Sequence, residues 1–543
     1  MATKSTTKSK DEIIEELVDS TPEIVKDETK QKTPLAKKVV TKIKQECELF
    51  QNQTKTPYIA PNRDGTLVLE IGSDDFRRWL TKFTMDNFND AVLKRNQIEE
   101  VETSLAGLAL YRGTGIKPLN VRIARNAEHR TIWYDLGRAA VKITPKEWTV
   151  VAYPPILFKR FKNQRPQILP ATPGDINLFR KYTTVENDDD WLLLAVFIIS
   201  CFIADFPKPL LALTGDQGSG KSFVLRLIKN LVDPSIIKGS PAPKTTEELV
   251  RFASQQAILL FDNLSGMKQD LSDDFCRLAT GDTFSKRKLF TDDGEILFDV
   301  CRPIMINGIN SVITQADLLD RTIPITISRI PDDKRKPESE LLEQFEEDKP
   351  FILAGIFDVL VKALEKFPDV KLEKLPRMAD FAKWGYAIAD SIDGYTGEDF
   401  IEAYSMIQDK QAEEAYEASP IAQAIVHFMD GVDEKELTPT QLLDLITNVP
   451  EYYYDDDKKI VATEDPFYKF LNKSPLWPKT ASALTRSLNR NRQTLQSKGI
   501  VFETGYKDKN ERKIKLINLE QIEKIKSEHY VNHEALTQAE KRI

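Results

Sequence analysis

The sequence is poor in the residues that build metal centres and covalent cross-links. Its 543 residues include four cysteines and four histidines. The cysteines (Cys47, Cys201, Cys276 and Cys301) are scattered, with no CxxC pair and no pair of histidines nearby. This pattern argues against a structural zinc site or a disulfide framework, and it is typical of proteins of the reducing cytosol. We therefore expect a cytoplasmic protein.

Long apolar runs and a strong excess of one charge are also missing. The longest apolar run, Trp191–Ala204, is too short to cross a bilayer and predicts a buried helix. The N-terminus is polar and rich in lysine, which is not the pattern of a secretory signal, so we expect no membrane partner. The net charge of −8 gives no overall attraction to nucleic acid, so any nucleic-acid site must be a local basic patch.

The sequence does contain a phosphate-binding signature. Residues 210–222 read LLALTGDQGSGKS, an apolar run and a Gly-rich turn, and a helical pattern follows. The spacing of Gly215, Gly220, Lys221 and Ser222 is that of a P-loop. Such a loop turns backbone N–H groups toward phosphate oxygens, its lysine reaches the β- and γ-phosphates, and its serine ligates Mg²⁺. We therefore predict that ATP and Mg²⁺ bind here, through Gly215, Asp216, Gln217, Gly218, Ser219, Gly220, Lys221, Ser222 and Phe223.

Polar residues end two further predicted strands downstream. The apolar run Ala257–Phe261 is followed by Asp262 and Asn263, where a Walker B strand belongs, and Asp262 is predicted to hold Mg²⁺ together with Ser222. A second strand, Pro303–Ile306, ends at Asn307. The strands alternate with helices, as expected for a parallel α/β ATPase core.

Arg321 follows a short predicted helix and precedes the strand Thr322–Ile327. An arginine in this place suits an arginine finger that reaches the γ-phosphate of a neighbouring subunit. The alternative is a salt bridge within the chain, to Asp320 or Asp317. Between the two polar strand ends, Ser285–Phe290 and Glu295–Val300 flank Asp292-Asp293-Gly294 and predict a hairpin.

The order and spacing of these motifs resemble the AAA+ ATPases of helicase superfamily 3, the replication helicases of phages, plasmids and DNA viruses. The stretch from about residue 190 to 384 also resembles mobile-element ATPases related to the poxvirus-type primase–helicases, in phrases such as LLFDNLS, RPIMINGIN and DLLDRTIPI. The resemblance implies a ring, usually a hexamer, with each ATP site shared between two subunits. It also implies that Asn307 polarises the attacking water and that the hairpin grips DNA in the central pore.

Two departures from that pattern bear on activity. Many AAA+ proteins place a glutamate, the base that activates water, where this chain has Asn263, and an amide cannot accept a proton. Another carboxylate, Asp273 or Asp274, would then have to serve. The hairpin tip is acidic, and its basic residues lie lower on the first strand; the predicted DNA contacts there are Lys286, Arg287 and Lys288. Both departures weaken the helicase interpretation more than they weaken the ATPase interpretation.

The whole chain is predicted to be an α/β P-loop protein with an AAA+ core (an αβα sandwich) between smaller domains. The N-terminal α+β domain carries no paired acidic residues and is interpreted as a docking or oligomerisation module. The predicted boundaries are a disordered tail at 1–33, an α+β domain at 34–166, a linker at 167–190, the ATPase core at 191–335, a helical lid at 336–418, a winged helix at 419–517 and a C-terminal helix or tail at 518–543.

The predicted winged helix carries a candidate DNA-binding surface. Leu484, Leu488 and Leu495 share one face of a helix predicted to run to about Ser497, and basic and amide side chains lie opposite. A basic hairpin follows, which suits groove and phosphate contacts, although a solvated charged face is the alternative. The predicted contacts are Arg486, Arg490, Gln493, Lys507, Lys509 and Arg512.

These features favour an ATP-dependent helicase or translocase that acts on single- and double-stranded DNA in the replication of a phage or mobile element. The predicted catalytic residues are Lys221, Asp262, Asn263, Asn307 and Arg321. Two alternatives remain, a non-processive remodeller or helicase loader and a DNA-binding regulator whose assembly ATP controls. A primase or another replication protein is a further candidate partner.

Overall fold

The computed structural model describes residues 34–61, 67–264, 266–281, 283–287, 295–299, 301–308, 313, 315–331, 333, 335–448, 450–454, 460–464, 466–508 and 511–524. The expected disordered tail 1–33, the tip of the predicted pore hairpin and most of the C-terminal tail lie outside these residues. In the described part of the chain, no helix is both long enough and apolar enough to cross a membrane. The chain divides into two compact units.

The smaller unit comprises the described residues up to Phe50 together with Pro57–Pro61 and Leu69–Gly115. A three-stranded sheet, in the order β1-β2-β3, packs with helices around a core of its own. Ser73 caps the second helix as expected, because its hydroxyl accepts a hydrogen bond from the Phe76 N–H at 3.2 Å. The elements are α1 (Leu35–Glu46), β1 (Glu48–Gln51), β2 (Pro57–Ala60), β3 (Leu69–Glu70), α2 (Asp74–Asn87) and α3 (Arg95–Tyr111).

The smaller unit ends at Gly115, and not at residue 166 as we expected for the N-terminal domain. The strands that follow belong to the larger unit because their apolar side chains, such as Ile132 and Val141, enter its main hydrophobic core. Tyr134 lies in that core, where its ring contacts Phe202 and Phe357. These strands are β4 (Leu119–Asn120), β5 (Ile123–Asn126), β6 (Thr131–Asp135), β7 (Ala140–Ile143), β8 (Trp148–Val151) and β9 (Leu157–Phe158), with β5-β6-β7-β8 forming an antiparallel sheet.

Residues 167–190, predicted as a linker, are part of the folded core. A 3-10 helix spans Ile176–Tyr182, and its apolar side chains are buried in the main core. Helix α4 (Asp188–Ser200) begins within the supposed linker, and its Asn187 cap accepts from the Asp190 N–H at 2.6 Å. The acidic run that suggested a linker supplies the first turn of this helix, where negative charge is favourable. The prediction of a buried helix is confirmed, since every residue from Trp191 to Ser200 is buried.

A four-stranded parallel sheet, in the order β11-β14-β10-β15, lies at the centre of the larger unit. Successive side chains point to opposite faces, so Leu211 and Leu213 enter the main core, whereas Leu210 and Ala212 enter a second core. A separate antiparallel hairpin, β12–β13, pairs Arg287 with Glu295. The elements are β10 (Leu210–Thr214), α5 (Lys221–Val232), α6 (Thr246–Gln255), β11 (Leu259–Leu264), α7 (Gln269–Thr280), β12 (Thr283–Arg287), β13 (Glu295–Asp299), β14 (Ile304–Gly308), α8 (Ala316–Leu319) and β15 (Thr322–Thr326).

The helices predicted as a lid share the main core with α4. They are α9 (Glu338–Lys366), α10 (Ala379–Ala389) and α11 (Gly397–Glu417). Helix α9 is longer than predicted and continues through Pro350. Phe357, Trp384 and Phe400 are fully buried in the common core. The helices therefore complete the hydrophobic core of the larger unit.

The C-terminal residues form helices around a three-stranded sheet, in the order β16-β20-β19, with a core of their own. The long helix predicted to end near Ser497 is instead two helices that meet at Asn491. The Asn491 side chain donates to the Ser487 carbonyl at 2.8 Å, and such local bonds compete with helix continuation. The elements are α12 (Pro420–Phe428), β16 (Glu434–Leu437), α13 (Pro439–Thr447), β17 (Pro450–Tyr454), β18 (Ile460–Glu464), α14 (Pro466–Leu471), α15 (Ala481–Arg490), α16 (Arg492–Ser497), β19 (Ile500–Asp508) and β20 (Glu511–Asn518).

A buried charge cluster joins three segments of the larger unit. The Asp233 carboxylate, fully buried at the end of α5, accepts from Arg122 Nε at 3.1 Å, Lys229 Nζ at 3.0 Å and the Ala257 N–H at 2.9 Å. Burial favours the protonated acid, but Lys229 and Arg122 outweigh it and hold the pKa of Asp233 below its usual value. The ionised carboxylate thus links the β5–β8 sheet, α5 and the approach to β11.

We expect Asp233→Asn to destabilise the larger unit by about 3–5 kcal/mol, because it leaves two buried cations without their counter-ion. A pKa below the unfolded value of about 3.9 means that this stability is present above that pH and is lost as the pH falls through the folded value. Thermal unfolding monitored by circular dichroism between pH 3 and pH 7 measures both effects, with ~1 kcal/mol corresponding to a few degrees.

Asp393→Asn is the matched control, since Asp393 pairs with Lys362 at 3.4 Å but is 96% exposed. It should leave the unfolding temperature almost unchanged. Equal unfolding temperatures for the two variants would show that the buried cluster is not a stabilising constraint.

Candidate functional site

The P-loop connects β10 to α5 at the carboxyl end of the central sheet. Three of its glycines adopt the left-handed backbone region, with φ of 135° at Gly215, 83° at Gly218 and 85° at Gly220. Gly215 has a steric requirement as well, because a Cβ there would lie 2.2 Å from the carbonyl oxygen of Ile327. The loop backbone therefore requires glycine at these positions.

The Lys221 side chain folds back onto its own loop. Its ammonium group donates to the carbonyl oxygens of Gly215 and Asp216, both at 2.7 Å, and to Ser219 Oγ at 3.3 Å. These neutral acceptors hold the cation in the cradle that the P-loop forms. To meet a phosphate group, Lys221 must exchange these carbonyl contacts for phosphate oxygens.

Four polar side chains and backbone groups meet beside the loop. Ser222 Oγ donates to Asp262 Oδ1 at 2.8 Å, and Asn307 Nδ2 donates to Ser222 Oγ at 2.9 Å. Asn307 Oδ1 accepts from the Asn263 N–H at 2.7 Å. Asn307 can make both bonds because β14 lies between the P-loop strand β10 and the Asp262 strand β11. The structure thus brings together the three strand ends that the sequence analysis singled out.

The oxygen ligands at this site fit Mg²⁺. A serine hydroxyl and a carboxylate in direct contact are hard oxygen donors, and Mg²⁺ in such sites takes its other ligands from phosphate groups and water. Across the residues that the structure describes, no group of three or more His, Cys, Asp or Glu side chains forms a metal site without such additional ligands. Ser222 and Asp262 would therefore hold a magnesium ion that arrives with the nucleotide.

Asn263 lies at an irregular point of β11. Its φ of 58° is left-handed, and the pairing with β14 shifts register between Phe261 and Leu264. Asparagine tolerates this conformation better than most residues. The side chain is exposed, and the backbone N–H is the group that Asn307 binds. The sequence analysis missed this backbone role, because residue types alone do not show where a strand departs from regular pairing.

The two carboxylates suggested as substitutes for a catalytic glutamate have other contacts. Asp273 accepts from Gln269 within α7 at 2.8 Å, and Asp274 accepts from the Thr246 hydroxyl at 2.6 Å. Neither bond connects α7 to Asp262 or Asn307. The described contacts therefore provide no support for either residue as the catalytic base.

Arg321 makes the contact that the intrachain alternative predicts. Its Nη1 lies 2.7 Å from Asp317 Oδ2, and its side chain is 14% exposed. Arg377 contacts the same carboxylate and also Asp320, at 3.0 Å. Burial alone would raise the pKa of Asp317, but Arg321 and Arg377 outweigh it and lower it. Within one chain, Arg321 is thus held by a local ion pair, and its role as an arginine finger stays a prediction.

Arg335 lies close to the P-loop. One of its terminal nitrogens would be 3.3 Å from a Cβ placed on Gly218, and the side chain of Ile330 lies beside Gly220. The segment before α9 therefore covers the outer side of the loop. A cation in this position can interact with a nucleotide bound to the loop.

The predicted DNA contacts are scattered over two regions. On α15 and α16, Leu484, Leu488 and Leu495 are fully buried. The side chains of Arg486, Arg490, Gln493 and Arg512 are exposed. Lys286, Arg287 and Lys507 lie on strands whose side chains are not described there, and Lys288 and Lys509 lie outside the described residues. The structure thus exposes four of the predicted contacts on the C-terminal domain.

Comparisons with known proteins give two family matches. Residues 176–413 match the model of the actinomycete integrative conjugative element replication protein, AICE RepA. Residues 421–528 match the model of the AICE RepA C-terminal domain. No curated protein matches the chain.

Solved structures also match, at low identity. A structure of the NrS-1 C-terminal region is 12% identical with a TM-score of 0.39, and the match covers 91% of this chain and 100% of that one. A JCV helicase structure with a bound small molecule is 13% identical with a TM-score of 0.20, over 41% of this chain and 66% of that one. Because the two family matches together span most of the larger unit, the chain belongs to the AICE RepA family of replication proteins of integrative conjugative elements.

Proposed function

We propose that the chain is an ATP-dependent DNA helicase or translocase that works as an AAA+ ring, a hexamer, in the replication of a mobile element. The contact between Ser222 Oγ and Asp262 Oδ1, at 2.8 Å, is the observation that supports it most directly. It joins the P-loop to an acidic strand end, which is the arrangement that ATP hydrolysis with Mg²⁺ requires. Membership of a replication-protein family supports the role in DNA replication.

The residues of the site would divide the work as follows. Lys221 would leave the Gly215 and Asp216 carbonyls and bind the β- and γ-phosphates. Ser222 and Asp262 would hold Mg²⁺, which neutralises charge on the phosphates when bound. Asn307 keeps Ser222 and the backbone of Asn263 in register, and its amide is placed to orient a water molecule near the γ-phosphate.

A non-processive remodeller or helicase loader is the second candidate, and Asn263 favours it. The amide at this position cannot accept a proton from water, so hydrolysis would lack the usual base. Slow turnover suits a protein that opens or loads DNA in few steps. Strand displacement on a forked DNA substrate separates the two functions, since a loader hydrolyses ATP without displacing the strand.

Lys221→Ala should abolish nucleotide-dependent activity, because it removes the charge that binds the β- and γ-phosphates. We expect ATP turnover with and without DNA to fall to the background rate, with the fold intact by circular dichroism. Lys371→Ala, which changes an exposed lysine of the same unit, is the control and should keep full turnover. Normal turnover in Lys221→Ala would place the ATP site elsewhere.

Mixing two inactive variants tests the role of Arg321. An arginine finger acting on the neighbouring subunit would let Arg321→Ala and Lys221→Ala complement each other, because some interfaces would combine an intact P-loop with an intact arginine. The ion pair between Arg321 and Asp317 leads us to expect no recovery of ATPase activity at any mixing ratio. Recovery, with subunit exchange shown by fluorescence energy transfer, would instead assign Arg321 to a shared site.

Replacing Arg486 and Arg490 together by glutamine should weaken binding to duplex DNA of any sequence. Two fewer neutralised phosphates should reduce the slope of log K against log[salt] by about 2. Replacing Arg78 and Arg95, which are 72% and 95% exposed in the smaller unit, changes the net charge equally and serves as the control. If both double variants bind alike in fluorescence anisotropy titrations, the α15–α16 surface is not the DNA site.

A further inference from the structure

A cavity of ≈ 570 Å³ opens at the carboxyl ends of β10, β14 and β15. Helix α11 and the first turns of α4 close it, with Met406 and Ile407 from one helix and Leu193 from the other. Its volume lies within the range of small-molecule sites, and such sites favour this end of a parallel sheet.

The cavity is distinct from the P-loop site. Ala212, Ile306 and Pro324 line it, and the first two belong to the face of the sheet opposite to that covered by α5. Residues 215–222, all of which the structure describes, are absent from its walls. A ligand here would therefore not be the nucleotide held by Lys221 and Ser222.

One buried polar group at the cavity wall is unsatisfied. Gln411 is 4% exposed, and its Nε2 donates to the Thr322 carbonyl at 3.0 Å, which fixes the plane of the amide. Its Oε1 has no hydrogen-bond partner among the described residues. A buried acceptor without a donor is unfavourable, so a ligand that donates to it would gain the full benefit of the bond.

The remaining polar groups of the wall also call for a donor. Asp189, Asp190 and Glu414 contribute carboxylates, against the single cation Lys410. Burial, together with the neighbouring Asp189, raises the pKa of Asp190, which shows that its charge is incompletely compensated. The body of the cavity is apolar, so the ligand must combine a donating, positively charged group with an apolar part.

We propose that this cavity binds an organic cation, in which a compact apolar body carries an amine, amidinium or guanidinium group. The charged group donates to Gln411 Oε1 and faces the carboxylates of Asp190 and Glu414. The apolar body packs against Leu193, Met406 and Ile407. The site is independent of the ATPase activity, since it needs neither nucleotide nor ring assembly.

Three small molecules with the same ring and different charge test this directly. Benzamidine is a cation, benzamide is neutral and benzoate is an anion. Saturation-transfer NMR and calorimetry on the full chain, without nucleotide, should show saturable binding of benzamidine, weaker binding of benzamide and none of benzoate. Binding of benzoate as tight as that of benzamidine, or no binding of benzamidine, would overturn the proposal.

Two variants locate the binding. Gln411→Met keeps the volume but removes the acceptor, and it should weaken benzamidine binding about tenfold, equivalent to one hydrogen bond to a charged group. Lys410→Gln removes the competing cation at the exposed rim, so it should tighten benzamidine binding without disturbing the fold. Unchanged affinity in both variants would show that benzamidine binds elsewhere and would exclude this cavity as the site.

Discussion

The larger unit depends on a carboxylate that has no access to water. Asp233 can remain ionised only because Arg122 and Lys229 approach it from different segments. Arg122 also donates to the carbonyls of Asp135, Arg165 and Pro234, so a single guanidinium fixes four chain segments. Buried ion pairs add little net stability when they are complete, but each partner is costly to leave alone. The cluster therefore selects one arrangement of sheet, helix and connecting loops.

The same logic applies at the P-loop on a smaller scale. Asn307 is 2% exposed, and both ends of its amide are satisfied, by Ser222 and by the Asn263 backbone. A buried amide with both partners fixed cannot turn without losing a bond. Changes at the Asp262 strand and at the P-loop are thus mechanically connected through one side chain.

Local signals in the sequence were sufficient for the site but not for the boundaries. The P-loop glycines, Asp262 and Asn307 were predicted because each is a polar or glycine residue at a strand end, and strand ends meet at one edge of a parallel sheet. The segment 116–190 was assigned to a separate domain and a linker because its strands are short and its loops contain proline and acidic residues. Its membership of the main core depends on distant partners, such as the contact of Trp148 Nε1 with Asp358 at 2.7 Å, which no local pattern reveals.

The wide span of the main core has a consequence for how the chain is made. The apolar helix α4 is covered by α10 and α11, so its partners are synthesised long after it. At about 5–20 residues per second, roughly ten to forty seconds separate the emergence of α4 from that of α11. During that interval the nascent chain carries a fully apolar helix without its cover. Folding of the larger unit is therefore completed late in translation, and its productive yield depends on protection of α4 at the ribosome.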